Sequence, residues 1–342
     1  MSGLTSQVNT KKKIMQYKIL GHSDIKVSTL TFGCWSIVAD ANWGDQGEKE
    51  STDAIHAALD AGINFFDTAP AYGNGASENL LGKALKNRRS EVVIATKIVG
   101  SLNRARVITE CEESLKRLQI ETIDLYQIHW ADPQTPIEET LSAIEELKRQ
   151  GKIRLFGVSN FGRNALTDAL AHGRIASNQM AYNLLWRGIE DEVLPLCQHE
   201  DIGILCYSTL MQGLLTGKFK TADDVPDGRA RTVHFSGDRP NSRHGQAGFE
   251  EETFETLDAL RAICANQNLS MIDASMQWLL ARPGVTSVIA GARNAAQVRD
   301  QVNALETGIS TETLAAMTLA TESLKTRFAG NMDLWAETSR IQ

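Results

Sequence analysis

Apolar residues along this 342-residue chain gather in short clusters, separated by stretches in which they recur at helical spacing. The clusters fall at 30–34, 63–67, 91–97, 123–129, 153–159, 175–180, 202–208 and 285–290. Most are apolar on both faces, the pattern of parallel strands covered by helices. The stretches between them are amphipathic. STDAIHAALDAG, from Ser51, ends at Gly62, a C-terminal cap. PIEETLSAIEELKRQGK opens on Pro136 and acids and closes on Lys148 and Arg149 before Gly151, an order that suits the helix dipole. Eight strands alternating with helices predict an α/β fold, a (β/α)8 TIM barrel. An open doubly wound sheet is the runner-up, disfavoured because no GxGxxG follows the first strand. Ahead of the barrel, two short alternating runs flank GHSD and predict an N-terminal β-hairpin. A helical extension is expected at the C-terminus. Residues 1–14 carry Lys11, Lys12 and Lys13 with no apolar run after them, so a disordered tail is expected there and 15–342 is expected to form one barrel domain.

One segment breaks the rhythm. Residues 221–248, TADDVPDGRARTVHFSGDRPNSRHGQAG, are polar and rich in Gly and Pro, and loops of such length are functional or disordered. They follow the seventh barrel strand, on the side where such barrels carry their sites. A solvated insertion is the competing reading.

Composition narrows the field. The hydrophobic fraction is 42% and the formal net charge is -7, with both signs interspersed, so no basic face for nucleic acid is built. A local basic pocket for a phosphate remains compatible with that balance. The five cysteines are odd in number and form no CxxC, which argues against a disulfide framework or a zinc site and for a reduced, cytoplasmic setting. Cys34 and Cys206 read as small apolar packing residues. No run approaches the roughly 20 apolar residues of a membrane span.

Chemistry concentrates at strand ends. The second barrel strand runs into FFDTAPAYGNGASE, placing Asp67 at its end and Tyr72 in the loop; the third ends at Lys97 and the fourth at His129. Burying these groups singly is costly, so Asp67 and Lys97 are expected to meet. A cation about 4 Å from a phenol contributes on the order of 4 kcal/mol at an effective dielectric near 20. At about 1.36 kcal/mol per unit, that lowers the Tyr72 pKa by about three units and makes it an acid poised near neutrality. His129 is placed to orient the same substrate oxygen. Such a set suits protonation of an oxyanion developing at a carbonyl. A Schiff-base lyase using Lys97 is the weaker alternative, because a neighbouring acid keeps a lysine charged. Ser77 is expected to cap a helix starting at Glu78, with Gly73 and Gly75 making the Tyr72 loop flexible.

The motifs GINFFDTAPAYGNGASE, ATK, DLYQIHW, GVSNF and LLTGKF together resemble the aldo-keto reductase superfamily, over about 17–305. The resemblance is to the branch that includes sugar and aldehyde reductases and potassium-channel beta subunits. It implies the same barrel, a catalytic tetrad of Asp67, Tyr72, Lys97 and His129, and NADP bound without a Rossmann motif, NADPH being preferred over NAD. It further implies Ser159, Asn160 and Gln179 on the nicotinamide with Tyr207 stacked against it. Ser208, Leu210, Gly213, Gly217 and Lys218 are implied at the pyrophosphate. Gly291, Arg293, Gln297 and Gln301 fall at the adenosine end, Arg293 facing a 2′-phosphate. Asp300 and Gln301 stand where related proteins often carry Glu-Asn. Gly33, Trp35 and Asp67 complete the cofactor contacts, and Trp35, Tyr72, His129 and Trp130 the substrate pocket. The expected activity is NADPH-dependent reduction of an aldehyde or ketone, of sugar or sugar-derived type, with no metal, nucleic acid or membrane partner. A slow, NADP-sensing regulatory subunit is the alternative within the same resemblance.

Overall fold

The computed structural model describes residues 15–39 and 44–341; the expected tail, 1–14, lies outside the described residues. The chain opens with an antiparallel hairpin, β1 (Tyr17–Ile19) and β2 (Lys26–Ser28). Eight parallel strands follow: β3 (Leu30–Gly33), β4 (Phe65–Asp67), β5 (Val93–Ile98), β6 (Ile123–Ile128), β7 (Ile153–Ser159), β8 (Ser177–Ala181), β9 (Gly203–Tyr207) and β10 (Val285–Gly291). They pair in chain order and β10 closes onto β3, so the eight apolar clusters form the predicted barrel.

Helices cover the strands: α1 (Glu48–Asp60), α2 (Ala76–Leu85), α3 (Arg104–Leu118), α4 (Ile137–Arg149), α5 (Arg163–His172), α6 (Val193–His199), α7 (Glu250–Asn266), α8 (Met271–Leu280) and α9 (Ala295–Ala304). The expected C-terminal extension is α10 (Thr311–Ala320) and α11 (Glu322–Phe328), followed by an irregular segment to 341. The signals at helix ends act as their chemistry requires. Gly62 follows α1 at φ 90, a left-handed position that favours glycine.

Strand alternation decides which side chains reach the barrel interior. Phe65, Val93, Ala95, Leu125, Leu205 and Ile289 pack together inside, whereas Phe66, Ile94, Tyr126 and Ile128 join the layer under the helices. Two residues along from an inward Phe65, Ala95 and Leu125 stand Asp67, Lys97 and Gln127. The same parity turns Tyr207 inward. The hairpin closes the other end: Leu20, Ile25 and Val27 belong to the interior cluster. Gly21 there takes φ 52, and a Cβ on it would stand 2.3 Å from the Ala176 carbonyl oxygen. With the bottom sealed, the polar residues at the strand C-termini face the open mouth.

Residues 221–248 are not a solvated insertion. Val225, Ala230, Val233, Phe235 and His234 are buried, and the Val233 amide donates to the Leu334 carbonyl at 3.0 Å. This pairing locks the segment to the chain beyond α11.

Candidate active site

The mouth of the barrel holds a cavity of about 970 Å³. At its floor Lys97 Nζ donates to both Asp67 oxygens, at 2.8 and 2.7 Å, to the Thr68 carbonyl at 3.0 Å and to Tyr72 Oη at 3.3 Å. Lys97 is fully buried, as the cost of an isolated buried charge demands of a paired one. Two amides complete the Asp67 shell, Gln179 Nε2 at 2.8 Å and Gln127 Nε2 at 3.3 Å from Oδ1. Asp67, Tyr72 and Lys97 therefore meet as expected. His129 joins them edge-on to the Tyr72 ring, centroids 6.2 Å apart, and Trp35 stacks on the other side of Tyr72 at 5.9 Å.

Tyr72 is presented by a tight turn. Gly73, Asn74 and Gly75 all have positive φ, and Gly75 is the N-cap of α2. A Cβ on Gly75 would meet Arg117 Cδ at 2.7 Å, so glycine here answers to backbone conformation and close approach, not to flexibility. Ser77 does not cap the helix. Its hydroxyl donates to the Cys34 carbonyl at 2.7 Å and pairs with Thr68 Oγ1 at 2.8 Å, tying the loop to the ends of two strands.

The electrostatics correct one expectation. The Tyr72 pKa is raised, not lowered: burial outweighs the help from Lys97, and Asp67 adds to the rise. Lys97 does not act on Tyr72 as a bare cation, because the bidentate Asp67 neutralises it at close range. Lys97 itself is lifted above its ordinary value, because Asp67 and Tyr72 together outweigh the burial that pulls it down. A lysine held in its charged form is a poor nucleophile for Schiff-base formation, which disfavours the lyase reading.

His129 is pushed down to about 3 by burial and then by the Lys97 and Arg340 charges. It is therefore a neutral imidazole at physiological pH. The unfolded chain protonates its histidine near pH about 6.5. Between that value and about 3 the unfolded state binds more protons, so the stability from neutral His129 is complete above pH about 6.5 and is lost as pH falls through this window. Urea unfolding at pH 7 and pH 4 should show a smaller acid-induced loss for His129→Gln than for the native chain. An equal loss would contradict a buried neutral imidazole.

The remaining expected residues line the cavity with two exceptions. Gly33, Trp35, Trp130, Ser159, Asn160, Gln179, Tyr207, Ser208, Leu210, Gly213, Lys218, Gly291, Arg293, Gln297 and Gln301 border it with Asp67, Tyr72 and His129. Lys97 stands behind Asp67 and Tyr72. Gly217 lies off the cavity in a left-handed turn, where a Cβ would meet Met271 Sδ at 2.8 Å.

These residues are cross-linked. Asn160, at φ 61, donates through Nδ2 to the His129 carbonyl at 3.0 Å and to Ser159 Oγ at 3.1 Å. Its Oδ1 accepts from the Tyr207 hydroxyl at 2.8 Å. In the 208–217 loop Ser208, Met211, Gln212 and Gly213 all have positive φ, the kind of backbone that can present N–H groups to an anion. Arg293 Nε donates to Gln46 Oε1 at 2.7 Å, and its backbone N–H to Gln297 Oε1 at 2.8 Å. Gln301 Nε2 donates to the Gly291 carbonyl at 2.8 Å.

A nicotinamide dinucleotide fits this donor set. Gln212 Nε2 and Ser36 Oγ are buried without partners and both border the cavity, as expected of groups that meet a polar ligand. Lys218, Arg229 and Arg293 supply positive charge for phosphates.

Three groups of site residues are not marked by the sequence. Gln127 was legible in principle, since it sits two places before His129 in phase with inward Leu125. Arg229, Arg231, Asn241 and Arg243 come from 221–248, and Trp335 and Arg340 from the C-terminal segment. Their positions follow from long-range packing that no local pattern encodes. Cys34 borders the cavity but, like Cys111, Cys197, Cys206 and Cys264, is a buried free thiol whose pKa burial pushes up. Among the described residues no group of His, Cys, Asp and Glu is arranged to hold a metal, and no helix is long and apolar enough to cross a membrane.

Comparison with known proteins agrees with this geometry. The model of the aldo/keto reductase family matches residues 29–322. The aldo-keto reductase YhdN of Bacillus subtilis is 38% identical over 300 residues, covering 83% of this chain and 87% of its own. An Escherichia coli protein named NADH-specific methylglyoxal reductase is 34% identical over 331 residues, 90% of this chain and 98% of its own. Among solved structures, a glycerol dehydrogenase from Gluconobacter oxydans superposes with a TM-score of 0.76 at 30% identity, covering 94% of this chain and 97% of its own. The chain belongs to the aldo/keto reductase family.

Proposed function

We propose that this protein reduces an aldehyde or ketone to the alcohol at the expense of NADPH, with Tyr72 as the proton donor. The observation that carries the reading is the contact of Tyr72 Oη with Lys97 Nζ at 3.3 Å, at the floor of a cavity large enough for a dinucleotide and a small substrate. A bound dihydronicotinamide supplies the hydride. Ser159, Asn160 and Gln179 would hold its carboxamide, with Tyr207 beside the ring. Lys218, Arg229 and Arg293 take the phosphates, and Gln297 and Gln301 the adenosine end.

The protein's own groups handle the proton. With its pKa raised, Tyr72 holds its hydrogen at neutral pH and gives it up only as negative charge builds on the carbonyl oxygen. Lys97 then stabilises the phenolate that remains, and Asp67 keeps Lys97 fixed and charged. Neutral His129 donates a hydrogen bond to the same oxygen and sets its direction. Trp35 and Trp130 border the substrate. A sugar or sugar-derived carbonyl is the substrate class expected. The free buried thiols are compatible with a reducing, cytoplasmic setting.

Cofactor oxidation with a panel of aldehydes and sugars, run with NADPH and with NADH, tests this reading. Tight NADPH binding without turnover of any carbonyl would favour a cofactor-sensing subunit instead. The related methylglyoxal reductase is named as NADH-specific, so the preference needs its own experiment. Arg293→Ala removes a charged contact of the kind that contributes about 1.5–3 kcal/mol. The kcat/KM for NADPH should fall about 10- to 150-fold and that for NADH far less. Equal losses would assign Arg293 to another part of the cofactor.

A further inference from the structure

The cavity wall is far more basic than the chain. Among the described residues it carries six cations, Lys218, Arg229, Arg231, Arg243, Arg293 and Arg340, and two carboxylates, Asp67 and Asp300. The whole chain has a formal net charge of -7. Asp67 is already committed to Lys97. The cations form two groups. Lys218 is lowered by burial and then by the Arg229 charge, and Arg229 by burial and then by Arg293, so these three lie together at the phosphate end. The other three are tied to the C-terminal segment, which Arg340 belongs to and which Arg231 and Arg243 contact.

That segment is clipped shut by Asp333. Its fully buried carboxylate accepts from Arg340 at the backbone N–H (3.1 Å), Nε (2.8 Å) and Nη2 (2.9 Å), and from the Trp335 N–H at 3.3 Å. The Trp335 side chain lies close to Tyr207, whose pKa it helps to lower against the rise from burial. Arg340 is thereby laid over Trp130, 3.8 Å from the ring centroid, next to His129. Arg231 lies over Trp335 at 5.2 Å, and the Arg243 carbonyl accepts from the Glu337 N–H at 3.3 Å.

The Asp333 fork occupies one edge of the Arg340 guanidinium and fixes its plane. Nη1 makes no hydrogen bond among the described residues, and the side chain is 45% exposed. His129 feels the Arg340 charge, and Tyr207 the charges of both Arg340 and Asp333. Guanidinium edges supply donors and no acceptor, whereas an uncharged polyol asks for both. They match the oxygens of a phosphate or carboxylate.

We propose that the carbonyl substrate carries an anionic group, a phosphate ester or a carboxylate, held by Arg340, with Arg243 on the same cavity wall adding positive charge. This rests on the reductase reading for the chemistry, but the anion site stands on its own residues. It narrows a sugar-type substrate to an acidic one.

Matched pairs test it: glyceraldehyde against glyceraldehyde 3-phosphate, and butyraldehyde against succinic semialdehyde. In the native enzyme the kcat/KM ratio of charged to neutral partner should exceed about 10 in at least one pair, from a charge-assisted contact. The pair that shows it separates phosphate from carboxylate. Arg340→Gln should bring that ratio down about tenfold, and Arg243→Gln, outside the Asp333 clip, should also lower it. Tryptophan fluorescence of the cofactor-free chain, titrated with inorganic phosphate and with succinate, should saturate in the native protein and lose that response in Arg340→Gln. The proposal is overturned if neutral partners are used as well as charged ones in both pairs, or if neither variant changes the ratio. If no carbonyl in the set is reduced, the reductase reading fails, and the fluorescence titration still decides the anion site.

Discussion

Replacing Tyr72 by Phe should lower kcat about 10²- to 10⁴-fold, the range for loss of a positioned general acid. The hydroxyl is the group nearest the cavity that can give a proton while Lys97 stands ready to hold the resulting charge. Asp67 is taken up by its pairing with Lys97, and His129, pushed down to about 3, has no proton of its own to spare at neutral pH. The ring of Tyr72 stays, so its stack with Trp35 and its edge contact with His129 survive. The variant should therefore fold normally and bind cofactor as before. Steady-state NADPH oxidation read beside a thermal melt separates the two effects. A kcat within about threefold of the native value would remove Tyr72 from the proton-transfer role, since even the weakest general-acid effect is larger.

Lys97→Met should destabilise the fold by about 3–5 kcal/mol, because it leaves Asp67 charged and unpaired in a dry interior. The two side chains are 0% and 4% exposed, so water cannot replace the missing partner. Gln127 and Gln179 still donate to Asp67 Oδ1, which softens the loss without supplying a counter-charge. Asp67→Asn with Lys97→Met should recover part of the stability, giving a coupling of about 0.5–3 kcal/mol in a double-mutant cycle. Urea unfolding of the four proteins measures it. Additive losses would mean that the pair contributes nothing beyond its separate side chains. Both Lys97 variants should also be poor catalysts, since the Tyr72 phenolate would form without a cation beside it.

How far the sequence reveals this site depends on where each residue sits. Asp67, Lys97 and His129 were visible because polar groups at the ends of apolar strands violate the pattern around them, and strand parity then points Asp67 and Lys97 into the barrel. Gln127 obeys the same parity, yet an amide inside an apolar strand carries no charge that must find a partner, so the pattern does not mark it. Ser77 had the composition of a cap, but α2 begins two residues earlier than expected and its hydroxyl is used by Cys34 and Thr68 instead. The Tyr72 shift went the other way from expectation because the balance between burial and a paired lysine is set by distances that no sequence states. Arg229, Arg243 and Arg340 lie in irregular segments whose courses depend on contacts such as Val233 with Leu334 and Glu337 with Arg243. Local signals mark such segments as loops and do not say what they meet.

The most direct measurement uses NADPH stereospecifically deuterated at C4 of the nicotinamide, in two separate preparations, with an aldehyde that the native enzyme consumes and mass spectrometry of the alcohol formed. Direct hydride transfer within the cavity predicts one deuterium in the product from one of the two preparations and none from the other. Alcohol formed without deuterium from either, or no alcohol from any carbonyl tested, would contradict a reductase built on Tyr72 and Lys97.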